Sequence, residues 1–491
     1  MCVVYAEGAG RRRRHCGFYY QSLLIDARGF DRFRWYVRNR FDKAYIVDLG
    51  GDIRAKGTKA GGNVFGIMTG VAITFLVKLK NEADKPKTPC ELYYYDVDKK
   101  AGPLPKSADK LFWLTGNDDL YSQDKFHRIK PDKDHNWINL SSSDFDKHMP
   151  ECSKQTKLAK FKLDEEAIFK VFCRGVCTNR DEWVHDFDRQ NLMKKARFFI
   201  ETYNNEIERW KNSPQTEAVN DFVNRKIKWT SELENYMKKA VYLEYDRDFI
   251  IESMYRPFVR KHSYFSEIIT HRPYQMPSIF GYQNEYRNLC ICFSGISSAK
   301  PFQVLAVNKL VSVDTLEKTQ CLPLYVYDGD GNRYNNITDF ALHKYRTHYN
   351  KKDISRQAIF NYVYAVLHAA SYRKAYAIDL KRHFPRIPFY TDFHKLSTLG
   401  KRLVHIHTHF EFAPLYPLDR IDAQADTDPL PKLRAIPEER LIHIDTQTRL
   451  VDIPSEAWDY KLGNRTPMEW ALDQYKAKKS PNTPNLSLIH I

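Results

Sequence analysis

Apolar residues recur at helical spacing in three stretches of the chain. In DRFRWYVRNRF (31–41), Phe33 and Val37 form a stripe with Phe30 just before them. In NLMKKARFFIETYNNEIERW (191–210), Leu192, Ala196, Phe199, Ile200 and Tyr203 follow the period of an amphipathic helix. The longest such pattern covers SRQAIFNYVYAVLHAASYRKAYAIDLKRHFP (355–385). Ser355 suits its N-cap, and Ile359, Tyr362, Val363, Val366, Leu367 and Ala370 form its apolar face. Pro385 is its expected stop. Short continuous apolar runs, the mark of buried strands, occur at AYIVDLGG (44–51), GVAITFLVKL (70–79) and ELYYYDV (91–97). The last two are expected side by side.

The texture between these elements divides the chain. A basic, glycine-rich loop spans 53–66, and residues 98–150 are polar, with local order expected around LFWLTG and NWINL. Residues 160–245 read as mainly helical, with DEWVHDFD (181–188) as cap and turn ahead of the long helix. From about 246 come short strands, aromatics and proline turns, including CLPLYVYDGDGNRY (321–334), a strand running into a Gly-Asp-Gly turn. There is no internal repeat. A chain of 491 residues asks for two or three cores, and 43% hydrophobic with 14% aromatic residues can fill them.

Charge narrows the partners. Lys and Arg number 77 against 61 acids, a net charge of +16, which favours polyanions and nucleic acid first among them. No stretch reaches the roughly 18 consecutive apolar residues of a membrane span. The N-terminus, MCVVYAEGAGRRRRHC, places its basic run after its apolar residues, the reverse of a signal peptide. A cytoplasmic protein with no membrane partner is expected.

The densest candidate chemistry lies in MYRPFVRKHSYF (254–265) and THRPYQMPSIF (270–280). Cations that neutralise phosphates, rings that stack, and guanidinium or amide groups that read base edges alternate there. A Tyr/Phe core with solvated Arg and Lys between is the alternative. The candidate DNA-facing residues are Arg256, Arg260, Lys261, His262, Tyr264, Arg272, Tyr274 and Gln275, followed by Asn284 and Arg287. Lys56 and Lys59, in the loop after the 44–51 strand, are further phosphate candidates. Asp48, at that strand's end, suits either a hydroxyl or base edge, or the capping of a turn.

Other motifs carry less. His405, His407 and His409 would share one face of a strand and offer metal ligands, but no Cys or carboxylate accompanies them at a recognisable spacing. Cys173 and Cys177 are spaced CxxxC, and Cys290 and Cys292 CxC, without a second pair at zinc-finger distance. Reduced, buried thiols and no metal are expected. GDGN (329–332) lacks the third glycine of a dinucleotide fingerprint, and no phosphate loop, GxSxG or HExxH is present.

Several runs taken together, in order and spacing, resemble one family. They are RNRFDKAYIVDLGG, NVFGIMTGVAITFLVK, TNRDEWVHDFD, KIKWTSEL, MYRPFVRKHSYF, RQAIFNYVYAVLHAASYRKAYAIDLKRHFPRIPF and WDYKLGNRTPMEWALDQY, spread over residues 22–476. The family is that of the type ISP restriction–modification enzymes and related adenine-specific DNA methyltransferases. The resemblance implies α/β plus α+β architecture: an incomplete Rossmann-like methyltransferase sheet, a helical spacer and a mixed α+β target-recognition domain. The expected bounds are a non-matching start (1–21), the end of the methyltransferase domain (22–150), the spacer (151–245), the target-recognition domain (246–478) and a tail (479–491). The implied function is recognition of a specific double-stranded DNA sequence, the complete enzyme moving a methyl group from S-adenosylmethionine to adenine N6 on a flipped base.

The departures from the family qualify that expectation. The family's glycine-rich cofactor loop and its Asn-Pro-Pro-Tyr/Phe motif do not occur; the chain contains no Pro-Pro. The chain is therefore expected to be a C-terminal piece that binds DNA, holds no cofactor, has no catalytic residues and transfers no methyl group by itself. Its partner would be an upstream methyltransferase, helicase and nuclease portion. The closing NTPNLSLIHI follows no family pattern. The readings from other classes are an RNA-binding or assembly module without DNA specificity, and a metal-dependent hydrolase built on His405, His407 and His409.

Overall fold

A six-stranded sheet organises the first of the two units into which the chain divides, Met1–Ser143 and Asp144–Ile491. The computed structural model describes residues 4–7, 13–52, 62–79, 89–97, 106–116, 125–142, 144–152, 166–424 and 428–476. Lys56 and Lys59 lie outside them. The strands of the first unit are β1 (Val4–Glu7), β2 (Arg13–Gln21), β3 (Lys43–Gly50), β4 (Val71–Leu79), β5 (Glu91–Asp96) and β6 (His127–Ile129), in the order β1-β2-β4-β3-β5-β6. Only β3 and β5 run parallel.

All three expected strands of this unit form, but β4 and β5 are not neighbours, because β3 lies between them. Burial explains the placement. β3 is buried along most of its length, whereas β4 leaves Phe75 exposed. The strand whose two faces are both apolar takes the centre. On one face Ala44, Ile46, Leu76, Leu92 and Tyr94 pack with Val37 of helix α1 (Asp31–Arg40) and with Trp137. On the other, Val47, Leu49, Val71 and Tyr95 meet Trp113 and Leu114 of α2 (Ser107–Thr115). Arg34 of α1 is fully buried and fully engaged. It donates to the carbonyls of Leu24, Ala27 and His135 and to Asn136 Oδ1. Asp48 caps its own turn, Oδ1 accepting from Gly50 N–H at 3.0 Å while Oδ2 accepts from Tyr94 O–H at 2.6 Å.

The second unit holds three four-stranded sheets, of which the first two meet in one core. Its elements are β7 (Cys173–Arg174), β8 (His185–Asp186), α3 (Arg189–Lys211), α4 (Ser231–Lys238), β9 (Ile250–Arg256), β10 (Val259–Tyr264), β11 (Cys290–Phe293), β12 (Val304–Val307), β13 (Leu310–Val311), β14 (Gln320–Pro323), α5 (Arg356–His368) and α6 (Phe393–Thr408). One sheet runs β13-β9-β10-β8, the other β12-β11-β14-β7. The two short strands β7 and β8 precede α3 in sequence yet complete one edge of each sheet.

Alternation along the second sheet feeds two cores. Ile291, Phe293, Val304, Ala306 and Leu322 face α5 and α6. Cys290, Cys292, Leu305, Val307 and Cys321 face Ile251, Met254, Leu310 and Val311 of the first sheet. The apolar stripe of α3 (Leu192, Ala196, Phe199, Ile200, Tyr203) packs with α4 against Ile250 and Tyr264. Leu192, Phe199 and Ile200 each contribute roughly 1.5–3 kcal/mol on full burial. Asp188 caps α3 by accepting from Asn191 N–H.

Two helical expectations change. The pattern over 355–385 is not one helix: α5 starts at the expected Ser355 cap but stops at His368, and short helices follow at Ala370–Ala375 and Asp379–Arg382. The break falls at Ala369, which is extended, and the chain turns there so that Tyr372 enters the core and donates its hydroxyl to Arg386 O. His405, His407 and His409 lie not on a strand but at the end of α6. At 3.6 residues per turn His407 points inward, bonded to the Tyr364 hydroxyl through Nδ1 at 2.6 Å. His405 and His409 stack on the exposed side. The three share no face, so the imagined metal triad is not assembled. Gly400 lets α6 approach α5, since a Cβ there would overlap the carbonyl oxygen of Asn361.

A final antiparallel sheet, unforeseen in the sequence, contains β15 (Asp419–Asp422), β16 (Pro431–Ile436), β17 (Leu441–Asp445) and β18 (Thr448–Val451), in the order β15-β18-β17-β16. Helix α7 (Pro467–Tyr475), closed by a Thr466–Glu469 capping box, follows it. Among the described residues, no helix is long and apolar enough to cross a membrane.

Candidate nucleic-acid interface

β9 and β10 form a hairpin across Pro257 and Phe258, and this hairpin carries Arg256, Arg260, Lys261 and His262. Phe258 takes a left-handed φ of 57° at the turn, and its ring packs edge-on against His407 and Phe410. The turn thus uses a bulky residue where glycine is usual, held in place by packing.

The cations of the hairpin are committed to the protein. Arg256 lies 4.0 Å from the Tyr255 ring centroid, donates to Tyr255 O at 2.7 Å and sits 3.8 Å from the Asp181 carboxylate. Arg260 pairs with Glu411 at 2.8 Å, donates to Thr408 O at 2.8 Å and lies over Phe410. Lys261 stands over the rings of Phe187 and Tyr255, at 4.5 and 4.2 Å. Burial, with Arg256 adjacent, lowers its pKa to about 8. His262 is half-buried, opposite Glu252 on β9 and Asp186 on β8. Tyr264 is a core residue, 1% exposed, whose hydroxyl accepts from Asp246 N–H. Its ring is out of reach of any duplex, which removes it from the candidate set.

Beside the hairpin lies a cavity of about 560 Å³ that sequence reasoning did not anticipate. Three of the runs that carried the family resemblance meet there: Thr178, Asp181 and His185 from the first, Tyr255 and Lys261 from the second, and Gln474 from the third, with Lys476 just beyond it. Asp181 accepts hydrogen bonds from Thr178 and from Tyr255 O–H. Although burial raises its pKa, the charges of His185 and Arg256 and these hydrogen bonds hold it below the usual carboxylate range. Burial brings His185 down to about 4, and neither of its ring nitrogens has a hydrogen-bond partner. Beneath, Lys195 and Asp186 form a fully buried ion pair at 2.6 Å. Arg180, also buried and lowered to about 10 by that burial, donates to Ile269 O and Thr230 Oγ1. The clue in the sequence was TNRDEWVHDFD itself, which packs six ionisable groups beside apolar anchors.

The other candidates lie apart from the hairpin strands. Arg272 is exposed and paired with Glu232 at 3.0 Å. Tyr274, at a φ of 51°, and Gln275 are exposed on the same loop. Asn284 and Arg287 line a second cavity of about 630 Å³, which also takes in Asn308, Lys309, Tyr325 and Gln357. Tyr286 and Tyr327 stack there, centroids 4.0 Å apart and planes 2° from parallel. The Tyr327 hydroxyl donates to Arg287 O, which fixes the backbone while the Arg287 side chain stays exposed. Asn308 Oδ1 is buried without a hydrogen-bond partner. Asn308, Lys309 and Gln357 were not singled out, since they come from two segments that only the fold brings to Asn284 and Arg287.

Residues 167–487 match the sequence profile of the type ISP C-terminal specificity domain. No curated protein matches the chain. Solved structures similar to it include the following three. The cryo-EM structure of a DrdV–DNA complex aligns at a TM-score of 0.82 and 36% identity, over 97% of this chain and 48% of that one. A nuclease-deletion mutant of the type ISP restriction–modification enzyme LlaGI, in complex with a DNA substrate mimic, aligns at 0.75 and 27%, over 96% and 42%. The ATP-dependent type ISP restriction–modification enzyme LlaBIII, bound to DNA, shares the fold at 0.77 and 24%, over 96% and 31%. The chain therefore spans about half the length of these proteins or less.

Proposed function

Because the chain belongs to the type ISP restriction–modification family and contains its C-terminal specificity domain, we propose that its second unit reads a specific sequence of double-stranded DNA. One observation carries the assignment to a place: the cavity around Asn284 and Arg287 gathers a guanidinium, an ammonium and carboxamides at its rim. Arg matches the O6 and N7 edge of guanine, and Asn or Gln the N6 and N7 edge of adenine. Arg272, Tyr274 and Gln275 extend the candidate surface, and Lys56 and Lys59 are added phosphate contacts. The hairpin cations Arg256, Arg260 and Lys261 are engaged within the protein and stand outside this candidate surface.

In this reading residues 22–150 are the end of a Rossmann-like methyltransferase domain, a role consistent with the parallel β3–β5 pair flanked by antiparallel β4. Residues 151–245 are the spacer and 246–478 the recognition domain. S-adenosylmethionine and adenine-N6 methylation belong to a longer polypeptide, in which an upstream part supplies cofactor loop and base-holding motif.

The test is selection of duplexes from a randomised DNA pool by the purified chain, followed by anisotropy titration against the enriched sequence, a scrambled duplex and an RNA duplex. Enrichment of one motif with weak RNA binding is expected. Equal affinity for all three would replace the proposal with a non-specific nucleic-acid module. Methyl transfer from labelled S-adenosylmethionine by this chain would refute the division of labour.

A further inference from the structure

The cavity beside the hairpin gathers buried donors that the protein leaves without acceptors. Its lining includes His185 and Arg180, 6% and 2% exposed. Neither ring nitrogen of His185 has a hydrogen-bond partner. Arg180 directs its two terminal nitrogens to Ile269 O and Thr230 Oγ1, and its Nε–H has no acceptor. The Lys261 ammonium lies over the rings of Phe187 and Tyr255, yet forms no hydrogen bond or ion pair to another described residue. Strand register brings two of these groups together. His185 stands opposite Ser263, so Lys261, two residues along β10, is on the same face of the sheet. The His185 ring and the Lys261 ammonium lie 4.8 and 4.2 Å from the Tyr255 ring centroid.

We propose that this cavity is a binding site for a phosphate group, held by Lys261, Arg180 and His185. Buried donors are paired as a rule, and a buried cation calls for a counter-charge. The nearby carboxylates are already committed. Asp181 accepts from Thr178 and Tyr255 and faces Arg256, and Asp186 is paired with Lys195. The wall therefore lacks an acceptor that carries negative charge and several oxygens, and a phosphate supplies one. Burial lowers the pKa of Lys261 to about 8 and that of Arg180 to about 10, the direction expected of cations short of a counter-charge.

The half-buried Glu182 and the exposed Asp314 also line the cavity, so the anion belongs against the buried wall rather than at the mouth. A volume of about 560 Å³ lies within the range of small-molecule sites, roughly 300–1,000 Å³. It admits a free phosphate or nucleotide, or a backbone phosphate reaching in from a bound strand. The site shares no lining residue with the cavity of Asn284 and Arg287, and it stands independently of the base-reading assignment made there.

The experiment is calorimetric titration of the full chain with inorganic phosphate, against sodium chloride at matched ionic strength, and again in the presence of a DNA duplex. Saturable binding at one site per chain is expected, weakened roughly tenfold or more in Lys261→Met. His185→Phe, which keeps a ring against Tyr255, should weaken it as well. If His185→Phe fails to fold, Lys261→Met decides. Displacement of phosphate by the duplex assigns the site to a backbone phosphate, and phosphate binding that survives excess duplex assigns it to a free phosphate compound. No saturable phosphate binding, or binding unchanged in Lys261→Met, overturns the proposal, whether or not the chain selects a DNA sequence.

Discussion

The β9–β10 hairpin and the rim of the Asn284–Arg287 cavity have similar compositions and opposite commitments. In the hairpin, Arg256 and Arg260 are bound to Asp181, Glu411 and main-chain carbonyls, and Lys261 is pressed between rings. At the rim, Arg287 points outward and forms no hydrogen bond or ion pair to another described residue, while Tyr286 and Tyr327 hold the platform beneath it. Density of charge in a sequence therefore does not say whether a cation faces a ligand or holds the fold. A guanidinium already bonded to a carboxylate must give up that partner before it can serve a phosphate.

Substitutions in the two regions should separate stability from binding. The largest effect belongs beneath the hairpin: Lys195→Ala removes the ammonium paired with buried Asp186 and should cost about 3–5 kcal/mol in urea unfolding. Binding per folded molecule should be unchanged. Arg260→Ala, which loses its bonds to Glu411 and Thr408 O, should cost about 1–3 kcal/mol of stability and leave the salt dependence of DNA binding intact. A flatter salt slope would show that Arg260 meets phosphate after all. Arg287→Ala should do the reverse, weakening binding to the selected duplex by about 1–3 kcal/mol and relaxing specificity at one base pair, with the unfolding midpoint unmoved.

The smallest effect is a pH dependence at Lys261. Its folded pKa, about 8, lies below the ordinary lysine value of 10.5. The unfolded chain thus binds more protons between these two pH values, and the contribution of Lys261 to stability improves as pH rises through that window. Below about 8 the lysine is charged in both states and the burial penalty is at its fullest. Lys261→Met should accordingly be more stable than wild type at neutral pH, with the gap closing towards pH 10. A gap that stayed constant would mean that the ammonium is not desolvated.

Local spacing made part of this legible. The α3 stripe and the Ser355 cap are dictated by neighbours three or four residues away, and the structure follows them. The exchange of order between β3 and β4 was hidden, since an apolar run shows that a strand is buried and not which strands flank it. The histidines of α6 were misplaced because His405, His407 and His409 alternate. The helical signal was Phe393, Leu396, Gly400, Leu403, Val404 and His407, at spacings of three and four. The two cavities were legible only as separate residues and never as assembled sites, since their linings join residues as distant as Thr178 and Gln474, or Asn284 and Gln357.

Strands β7 and β8, two residues each, have a practical bearing on protein engineering. Anyone transplanting the recognition module between enzymes would be tempted to cut near residue 246, where the sequence changes character. Such a splice would leave β10 and β14 each with a raw, unpaired border inviting aggregation. A chimera that behaves well should keep everything from the start of the second unit at Asp144 onward as one cassette.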